Sequence, residues 1–297
     1  MSKNSLFAFT ELLKPITWFP PMWAFCCGVI ASGETLADKW QMILLGLILA
    51  GPMVCASSQA VNDWFDKDVD AINQPERPIP SGRIPGKWGL FIAIIWSLLS
   101  LFVALFLGVW GFIAALIGLA LAWAYSMPPI RLKTNGWFGN AACGISYEGI
   151  AWVTGAAVMA GGAMPESRSL TLALLYSLGA HGIMTLNDFK SIEGDKKMGI
   201  FSLPVKLGVV GASRSACFTM LVPQIVVIFL LFSWNTYTHA LVLVLFVMIQ
   251  IILMRIFLLD PLKKALFYSA VGVPVFVLGM MISAFALRST TSSLLIL

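Results

Sequence analysis

The residues best able to do chemistry in this chain lie in two short acidic runs, 62–70 and 187–195. Each run opens with Asn, Asp and an aromatic residue, carries an acidic residue at its seventh place and closes on Asp at its ninth. Apolar stretches surround both runs. Because carboxylates are costly beside a bilayer, such clusters are functional candidates. Two matching clusters predict a paired site for divalent cations.

Helical periodicity separates possible cation ligands from bystanders, because successive residues on a helix are turned by about 100°. The residues that share one face are Asn62, Asp63, Asp66 and Asp70 in the first run and Asn187, Asp188, Ser191 and Asp195 in the second. Asp68 and Glu193 fall off this face, where they pair with neighbouring lysines or stay solvated. Oxygen ligands without His or Cys favour Mg²⁺, or a similar ion such as Mn²⁺.

Basic residues close to the two runs suit a phosphate-bearing substrate. They are Lys67, Arg77, Arg83, Arg131, Lys133 and Lys190. Mg²⁺ is usually shared with substrate phosphates, and Lys or Arg donors bind phosphate through strong charge-assisted hydrogen bonds. The combination predicts a diphosphate held by metal ions and basic side chains. The sequence has no Walker loop, which argues against ATP chemistry.

The rest of the chain consists of segments that could hold these runs at a membrane surface. Hydrophobic residues make up 59% of the sequence and charged residues 11%, which is typical of a polytopic membrane protein. We predict nine spans, each near the roughly 20 residues that a bilayer requires. Their approximate bounds are 15–32, 40–61, 88–108, 111–127, 136–160, 169–186, 209–232, 240–259 and 265–287.

The distribution of positive charge predicts the orientation. With the N-terminus inside, sixteen of the 19 Lys and Arg residues fall on inner segments and three on outer ones. This positive-inside bias places the N-terminus and both acidic runs in the cytoplasm and the C-terminus outside. The net charge of +5 therefore reflects topology and not nucleic-acid binding. The first span lacks a small-residue cleavage site, so we expect no cleaved signal peptide.

Two polar residues lie inside predicted spans. Glu148 is a functional candidate by default, although it could instead make a hydrogen bond between helices. His181 lies seven residues before Asp188 on the same helical face. It is either a ligand for a metallated ring or a hydrogen-bonded core residue. The five cysteines show no metal-ligand spacing or disulfide framework, and we expect them to be small buried residues.

The two polar segments resemble those of a known family. The pattern Asn-Asp-x-x-Asp-x-x-x-Asp, followed by Arg-Pro-Ile-Pro-Ser-Gly, spans 62–82, and its partner spans 187–204. Both are similar to the UbiA superfamily of intramembrane prenyltransferases, and in particular to its chlorophyll and bacteriochlorophyll synthase branch. The segment 18–25 resembles the bacteriochlorophyll enzymes within that branch. One departure is Ser191, which stands where the superfamily often has Asp, so that Asp188 and Glu193 must supply the charge.

The resemblance implies an all-α fold of nine transmembrane helices around a central cavity, in a single domain covering 1–297. It implies esterification of bacteriochlorophyllide or chlorophyllide with geranylgeranyl or phytyl diphosphate, and so an enzyme of photosynthetic pigment synthesis. The implied metal ligands are Asn62, Asp63, Asp66, Asp70, Asp188 and Asp195, with Asp66, Asp70, Asp188 and Asp195 as catalytic residues. The implied diphosphate-binding residues are Arg77, Arg131, Lys133, Lys190 and Asn187. The implied pigment-binding residues are Phe19, Phe25, His181 and Glu148.

The resemblance also implies an apolar chamber that protects a carbocation from water, with the proline-rich loop 71–86 as its lid. The expected location is a cytoplasmic or intracytoplasmic photosynthetic membrane, with pigment-synthesis or photosystem-assembly proteins as partners. Four alternatives remain at this point: a chlorophyll a synthase, a quinone- or haem-type prenyltransferase, a membrane transporter or channel, and a pigment-binding scaffold. A transporter predicts acidic residues near the middle of the membrane, whereas both runs are predicted at one interface.

Overall fold

The computed structural model describes residues 3–294, which fold into helices joined by short loops. The α-helices, numbered along the chain, are α1 (Lys3–Leu13), α2 (Phe19–Ala31), α3 (Trp40–Ile48), α4 (Ala56–Phe65), α5 (Lys67–Asn73), α6 (Trp88–Ala104), α7 (Gly108–Ser126), α8 (Gly136–Gly144), α9 (Ala151–Met159), α10 (Ser167–Asp188), α11 (Ile192–Lys197), α12 (Leu203–Ser233), α13 (Tyr237–Leu259) and α14 (Pro261–Leu294). Two wide π-helical turns, Leu49–Cys55 and Ile145–Ile150, join α3 to α4 and α8 to α9. The predicted all-α class is confirmed.

Six segments of the described chain are long and apolar enough to cross a membrane. They are Ala37–Phe65, Trp88–Ser126, Ser167–Asp188, Leu203–Ser233, Tyr237–Leu259 and Pro261–Thr290. The chain is therefore an integral membrane protein. Length and hydropathy identify six candidate spans among the described residues, so the nine spans that we predicted are not confirmed.

The difference in span number arises at three places. Helix α2 has only 13 residues, fewer than the roughly 20 that cross a bilayer. Residues 136–159 form one helical stretch, but its hydropathy is lowered by glycines and by Glu148. The segment Trp88–Ser126 contains two helices, because Gly108 (φ 84°) turns the chain between α6 and α7, which pack together. A Cβ at Gly108 would lie 2.5 Å from the Cα of Gly162, so only glycine fits this turn.

Helices α2 and α9 approach each other closely at two glycines. A Cβ at Gly28 would lie 1.9 Å from the carbonyl oxygen of Trp152, and one at Gly155 would lie 2.1 Å from that of Phe25. Small residues allow such backbone contact between membrane helices, where dispersion contacts take over from the hydrophobic effect. This interface supports the wall of the cavity described below.

Both acidic runs lie where a helix breaks. Asp66 (φ −100°, ψ 2°) separates α4 from α5, and Ser191 (φ −116°, ψ 6°) precedes α11 in the second run. The two residues occupy the same place in their runs, so the repeat seen in the sequence extends to the backbone. The break also means that each run is not one continuous helix, and the side chains spread more widely than helical periodicity predicts.

A short backbone bridge joins the loops that carry the two halves of the site. Asn135 and Phe201 form a parallel β-bridge. The N–H of Phe201 donates to the carbonyl of Thr134, and the N–H of Gly136 donates to the carbonyl of Phe201, both at 2.9 Å. The segment after α7 is thereby fixed beside the segment after α11.

Candidate functional site

A cavity of about 250 Å³ lies between α4, α7 and the two π-helical turns. Small apolar residues, including Ala114, Gly118 and Ala122, line part of the α7 side, while Gln59, Tyr125 and Tyr147 add polar groups. Asn62 also lines the cavity, and its amide donates to Asp66 Oδ2 at 3.1 Å. The cavity therefore reaches the first acidic run, and its largely apolar lining suits an apolar group that ends in a charge.

Asp63 and Asp70 of the first run share one arginine. Arg77 Nη1 lies 2.6 Å from Asp70 Oδ2 and 3.3 Å from Asp63 Oδ1. Lys14 Nζ lies 2.6 Å from the same oxygen of Asp63. Asp63 and Asp70 are 1% and 6% exposed, so these pairs are desolvated on the carboxylate side. Such buried charges are tolerated only when paired.

Asp66 faces a different pair of basic residues, because the helix breaks at its position. Lys133 Nζ donates to Asp66 Oδ1, and Arg131 Nη2 lies 3.4 Å from the same oxygen. Asn62, which bonds Asp66, also donates to Ser126 Oγ at 3.2 Å. The structure thus brings together all predicted residues of the first run with three of the predicted diphosphate-binding residues.

The second run is held by neutral groups. Asn140 donates to Asp188 Oδ2 at 3.4 Å. Asp195 Oδ2 accepts from Ser191 Oγ at 3.0 Å and from Ser202 Oγ at 2.6 Å. Asn187 and Lys190 are exposed, as are Asp68 and Glu193. Of the predicted residues here, Asp188 and Asp195 are therefore the two with ordered side-chain partners.

Burial and ion pairing shift the pKa in opposite directions for two groups outside the membrane spans. Burial raises the pKa of Asp70 above its ordinary value, while Arg77 opposes that rise. Burial lowers the pKa of Lys133, and Asp66 opposes that shift. Desolvation is the larger effect on both pKa values. Asp70 therefore depends on Arg77 to keep its charge, and Lys133 depends on Asp66.

The donor chemistry of the site suits a divalent cation, although the first run is closed onto its basic neighbours. Among the described residues, no three His, Cys, Asp or Glu side chains lie in an arrangement that could hold a metal ion. Lys14, Arg77 and Lys133 neutralise the carboxylates instead. Asp63 Oδ2 is buried without a hydrogen-bond partner among the described residues. An unsatisfied carboxylate oxygen is a ready ligand for a hard cation, so the residues fit Mg²⁺.

The four predicted pigment-binding residues do not line the cavity. Phe25 is fully buried in the core with its ring against Gly46, and Phe19 is 60% exposed and stacks on Trp23. His181 Nε2 lies 3.2 Å from the carbonyl of Trp137, and its Nδ1 is buried without a partner among the described residues.

Glu148 lies in the second π-helical turn and is 4% exposed. Its Oε2 has no hydrogen-bond partner among the described residues. An unpaired acidic group at this depth is costly, and the neighbouring Tyr147 lines the cavity while Glu148 does not.

Sequence reasoning missed two parts of the site. Lys14 reaches Asp63 from a left-handed backbone conformation (φ 46°, ψ 68°), which nothing in its sequence neighbourhood indicates. Such strained residues cluster at functional sites. Tyr147 accepts a hydrogen bond from Gln59 Nε2 at 3.0 Å inside the cavity. Gln59 lies three residues before Asn62 and so shares its helical face, a signal that could have identified it.

Comparison with known proteins identifies the family. Residues 18–278 match the model of the UbiA prenyltransferase family. The chain belongs to the UbiA prenyltransferase family. It is 52% identical over 281 residues to the bacteriochlorophyll synthase 33 kDa chain of Cereibacter sphaeroides, covering 95% of this chain and 93% of that one. It is 40% identical over 290 residues to the chloroplastic chlorophyll synthase of Arabidopsis thaliana, covering 93% and 73%.

Solved structures of the UbiA family share the fold. A digeranylgeranylglyceryl phosphate synthase superposes with a TM-score of 0.73 at 23% identity, covering 95% of this chain and 99% of that one. A UbiA homologue from Archaeoglobus fulgidus, bound to DMAPP and Mg²⁺, superposes with a TM-score of 0.65 at 20% identity, covering 95% and 99%. These superpositions show the UbiA-type fold. The family match and the 52% identity make the protein a membrane prenyltransferase, and the transporter and scaffold hypotheses are set aside.

Proposed function

We propose that the protein esterifies the propionate of bacteriochlorophyllide a with geranylgeranyl or phytyl diphosphate. The allylic carbon–oxygen bond of the diphosphate breaks, a propionate oxygen bonds to that carbon, and diphosphate leaves. The observation that carries the proposal is the 52% identity to a bacteriochlorophyll synthase over 95% of the chain. A chlorophyll synthase is the second candidate, and the 40% identity to the Arabidopsis thaliana enzyme favours it less.

The acidic runs would hold the divalent cation. The proposed ligands are Asn62, Asp63, Asp66, Asp70, Asp188 and Asp195, with Asp66, Asp70, Asp188 and Asp195 catalytic through that contact. When bound, Mg²⁺ supplies positive charge that stabilises the departing diphosphate. Asp63 supports this assignment because its Oδ2 is buried and unpartnered among the described residues.

The basic residues that pair with the first run would bind the diphosphate once the cation has taken over the carboxylates of that run. Arg77, Arg131 and Lys133 now contact Asp70, Asp63 and Asp66. Released from these pairs, they could donate to phosphate oxygens and stabilise charge as the bond breaks. Lys190 and Asn187 are exposed next to Asp188, and we assign them to the outer side of the diphosphate.

The cavity would hold the prenyl chain away from water. Its lining by Ala114, Gly118 and Ala122 offers apolar contact along α7. A propionate is ionised at neutral pH, so it can attack the allylic carbon without a general base. We propose the loop 71–86 as a lid. Its Arg77 reaches the site, and its Ile84 is anchored in the core beside Leu12.

For the pigment we keep Phe19 as a proposed contact because it is 60% exposed, and His181 because its Nδ1 has no hydrogen-bond partner among the described residues. Phe25 and Glu148 would affect pigment binding through the residues packed against them, because both are enclosed in the helix bundle.

We further propose a single domain over 1–297 with nine spans. Helices α2, α6 and α7 and the stretch 136–159 would complete the set. The N-terminus and both acidic runs would face the cytoplasm of a photosynthetic membrane. Proteins of pigment synthesis and photosystem assembly would be its partners.

An assay on membranes that contain this chain as the added protein tests the proposal. Bacteriochlorophyllide a, geranylgeranyl diphosphate and Mg²⁺ are supplied, and esterified pigment is measured by chromatography. We expect ester to form, to disappear with EDTA and to return when Mg²⁺ is restored. Membranes without the chain provide the control. Absence of ester with correctly inserted protein, at several pigment concentrations, would contradict the proposal.

A further inference from the structure

We propose that Ser202 is a positioning residue for Asp195 and that it couples the two acidic runs through the bridge at Phe201. This inference deepens the proposed function and rests on the assignment of Asp195 as a metal ligand. Ser202 lies outside both runs, at the start of α12, and is 4% exposed. Its hydroxyl donates to Asp195 Oδ2 at 2.6 Å.

The position of Ser202 makes this hydrogen bond unexpected. Ser202 is the N-cap residue of α12, and serine at an N-cap normally accepts a hydrogen bond from the backbone of its own helix. Here the side chain makes no such capping bond. Losing that bond lowers the stability of the helix end. When a residue departs from its local structural preference in this way, its side chain often has a role in a functional site.

The hydroxyl of Ser202 also fixes the orientation of the carboxylate. Ser191 Oγ donates to the same oxygen, Oδ2, at 3.0 Å. With both hydroxyls on one oxygen, the other oxygen of Asp195 is directed to accept a further ligand. Groups that orient a metal ligand in this way tune metal affinity.

A continuous chain of bonds then leads from Ser202 to the first run. The preceding residue, Phe201, exchanges backbone hydrogen bonds with Thr134 and Gly136 on the neighbouring loop. Lys133 on that loop donates to Asp66. Asp66 and Asp195 are thus connected through the backbone contact between Phe201 and the loop that carries Lys133.

Gly136 shows how tightly this contact is built. A Cβ at Gly136 would lie 2.6 Å from the backbone N of Leu203 and 3.0 Å from the carbonyl carbon of Ser202. Backbone atoms cannot move aside as a flexible side chain can. Glycine is therefore required for the two loops to meet, and a larger residue would push Ser202 away from Asp195.

The test compares Ser202→Ala with Ser202→Thr, which keeps the hydroxyl, and with Ser213→Ala. Ser213 is a matched control because it is buried further along α12, beyond the break in the helix at Gly208 (φ 71°), and donates locally, to Val210 at 2.9 Å. Each purified protein is titrated with Mg²⁺ in two assays: ester formation, and the rise in unfolding temperature without substrate.

We expect Ser202→Ala to raise the Mg²⁺ concentration for half-saturation about 10-fold or more in both assays. Ser202→Thr should stay within about threefold of the unaltered protein, because it keeps the charge-assisted bond. Ser213→Ala should leave the Mg²⁺ response unchanged. Ser202→Gly gives a second test, because glycine is nearly as good an N-cap as serine and removes the hydroxyl without harming the helix.

Unchanged Mg²⁺ half-saturation in both Ser202→Ala and Ser202→Gly would overturn the positioning assignment. So would an equal shift in Ser213→Ala, since that would show a general effect of disturbing α12. Failure of the proposed function looks different: the unaltered protein itself would show no Mg²⁺-dependent rise in unfolding temperature and no ester.

Discussion

Replacing Arg77 with alanine tests how charge is balanced in the site. Arg77 is the shared partner of Asp70 at 2.6 Å and Asp63 at 3.3 Å, and the side chains are 22%, 9% and 2% exposed. Breaking a fully buried pair costs about 3–5 kcal/mol. Because Arg77 is partly exposed and Lys14 still neutralises Asp63, we expect a smaller loss than in a fully buried pair, about 2–3 kcal/mol.

A bound cation should reduce this penalty, because it neutralises the same carboxylates. Mg²⁺ should therefore raise the unfolding temperature of Arg77→Ala by more than it raises that of the unaltered protein. Turnover should behave differently. Without the guanidinium to stabilise the departing diphosphate, kcat/KM should fall about 100-fold even in excess Mg²⁺.

Arg83→Ala is the matched control, since Arg83 lies in the same loop but pairs with Glu11 at 2.6 Å, away from the acidic runs. That pair is partly exposed, and such pairs contribute little. Unfolding is followed by tryptophan fluorescence and turnover by ester formation. If the two variants agreed within about threefold in kcat/KM, and Mg²⁺ stabilised both equally, the charge-balance argument would be refuted.

Three further predictions test the site, the cavity and the packing. Asp66→Asn should lower ester formation by at least about 100-fold in purified, inserted protein, whereas Asp68→Asn, at an exposed position, should stay near normal; equal loss in both would remove Asp66 from the site. Gly118→Phe should abolish binding of geranylgeranyl diphosphate in a filtration assay by filling the cavity, while Gly118→Ala, whose Cβ would have ordinary contacts of 3.7 and 3.8 Å, should bind normally. Gly28→Ala should unfold at a clearly lower temperature than Gly118→Ala, because its Cβ would lie 1.9 Å from a backbone oxygen of Trp152; equal unfolding temperatures would contradict the close α2–α9 contact.

The local parts of the site could be predicted from the sequence. The two acidic runs, their matching order and the helical face with Asn62 and Asp66 follow from spacing alone. Arg77 could be placed near Asp70 because only seven residues separate them. Local sequence carries such contacts, since a single turn of helix and a short loop determine them.

The remaining parts depend on tertiary structure. The contact of Lys14 with Asp63 joins residues 49 apart, through a backbone conformation that lysine seldom adopts. Phe25 was predicted at the pigment from its aromatic neighbourhood, but it packs in the core against Gly46. The bridge at Phe201 leaves no periodic signal at all, because one isolated backbone contact has no repeating pattern.

The number of spans shows a further limit of prediction from the sequence. Hydropathy windows detect long apolar helices well, but they join helices such as α6 and α7 when the turn at Gly108 is itself apolar. They also miss the short α2 and the helical stretch interrupted by Glu148. We counted nine segments from the sequence by their boundaries, whereas length and hydropathy applied to the described helices select six.

The most direct test of the account is a competition between two pigments. Membranes containing this chain are given geranylgeranyl diphosphate, Mg²⁺ and equal amounts of bacteriochlorophyllide a and chlorophyllide a, and both esters are quantified over time. We predict that esterified bacteriochlorophyllide a is the main product and that its formation requires Asp66 and Asp195. Esterified chlorophyllide a as the main product would contradict the proposed substrate while keeping the prenyltransferase chemistry, and no ester of either pigment would contradict the proposed reaction itself.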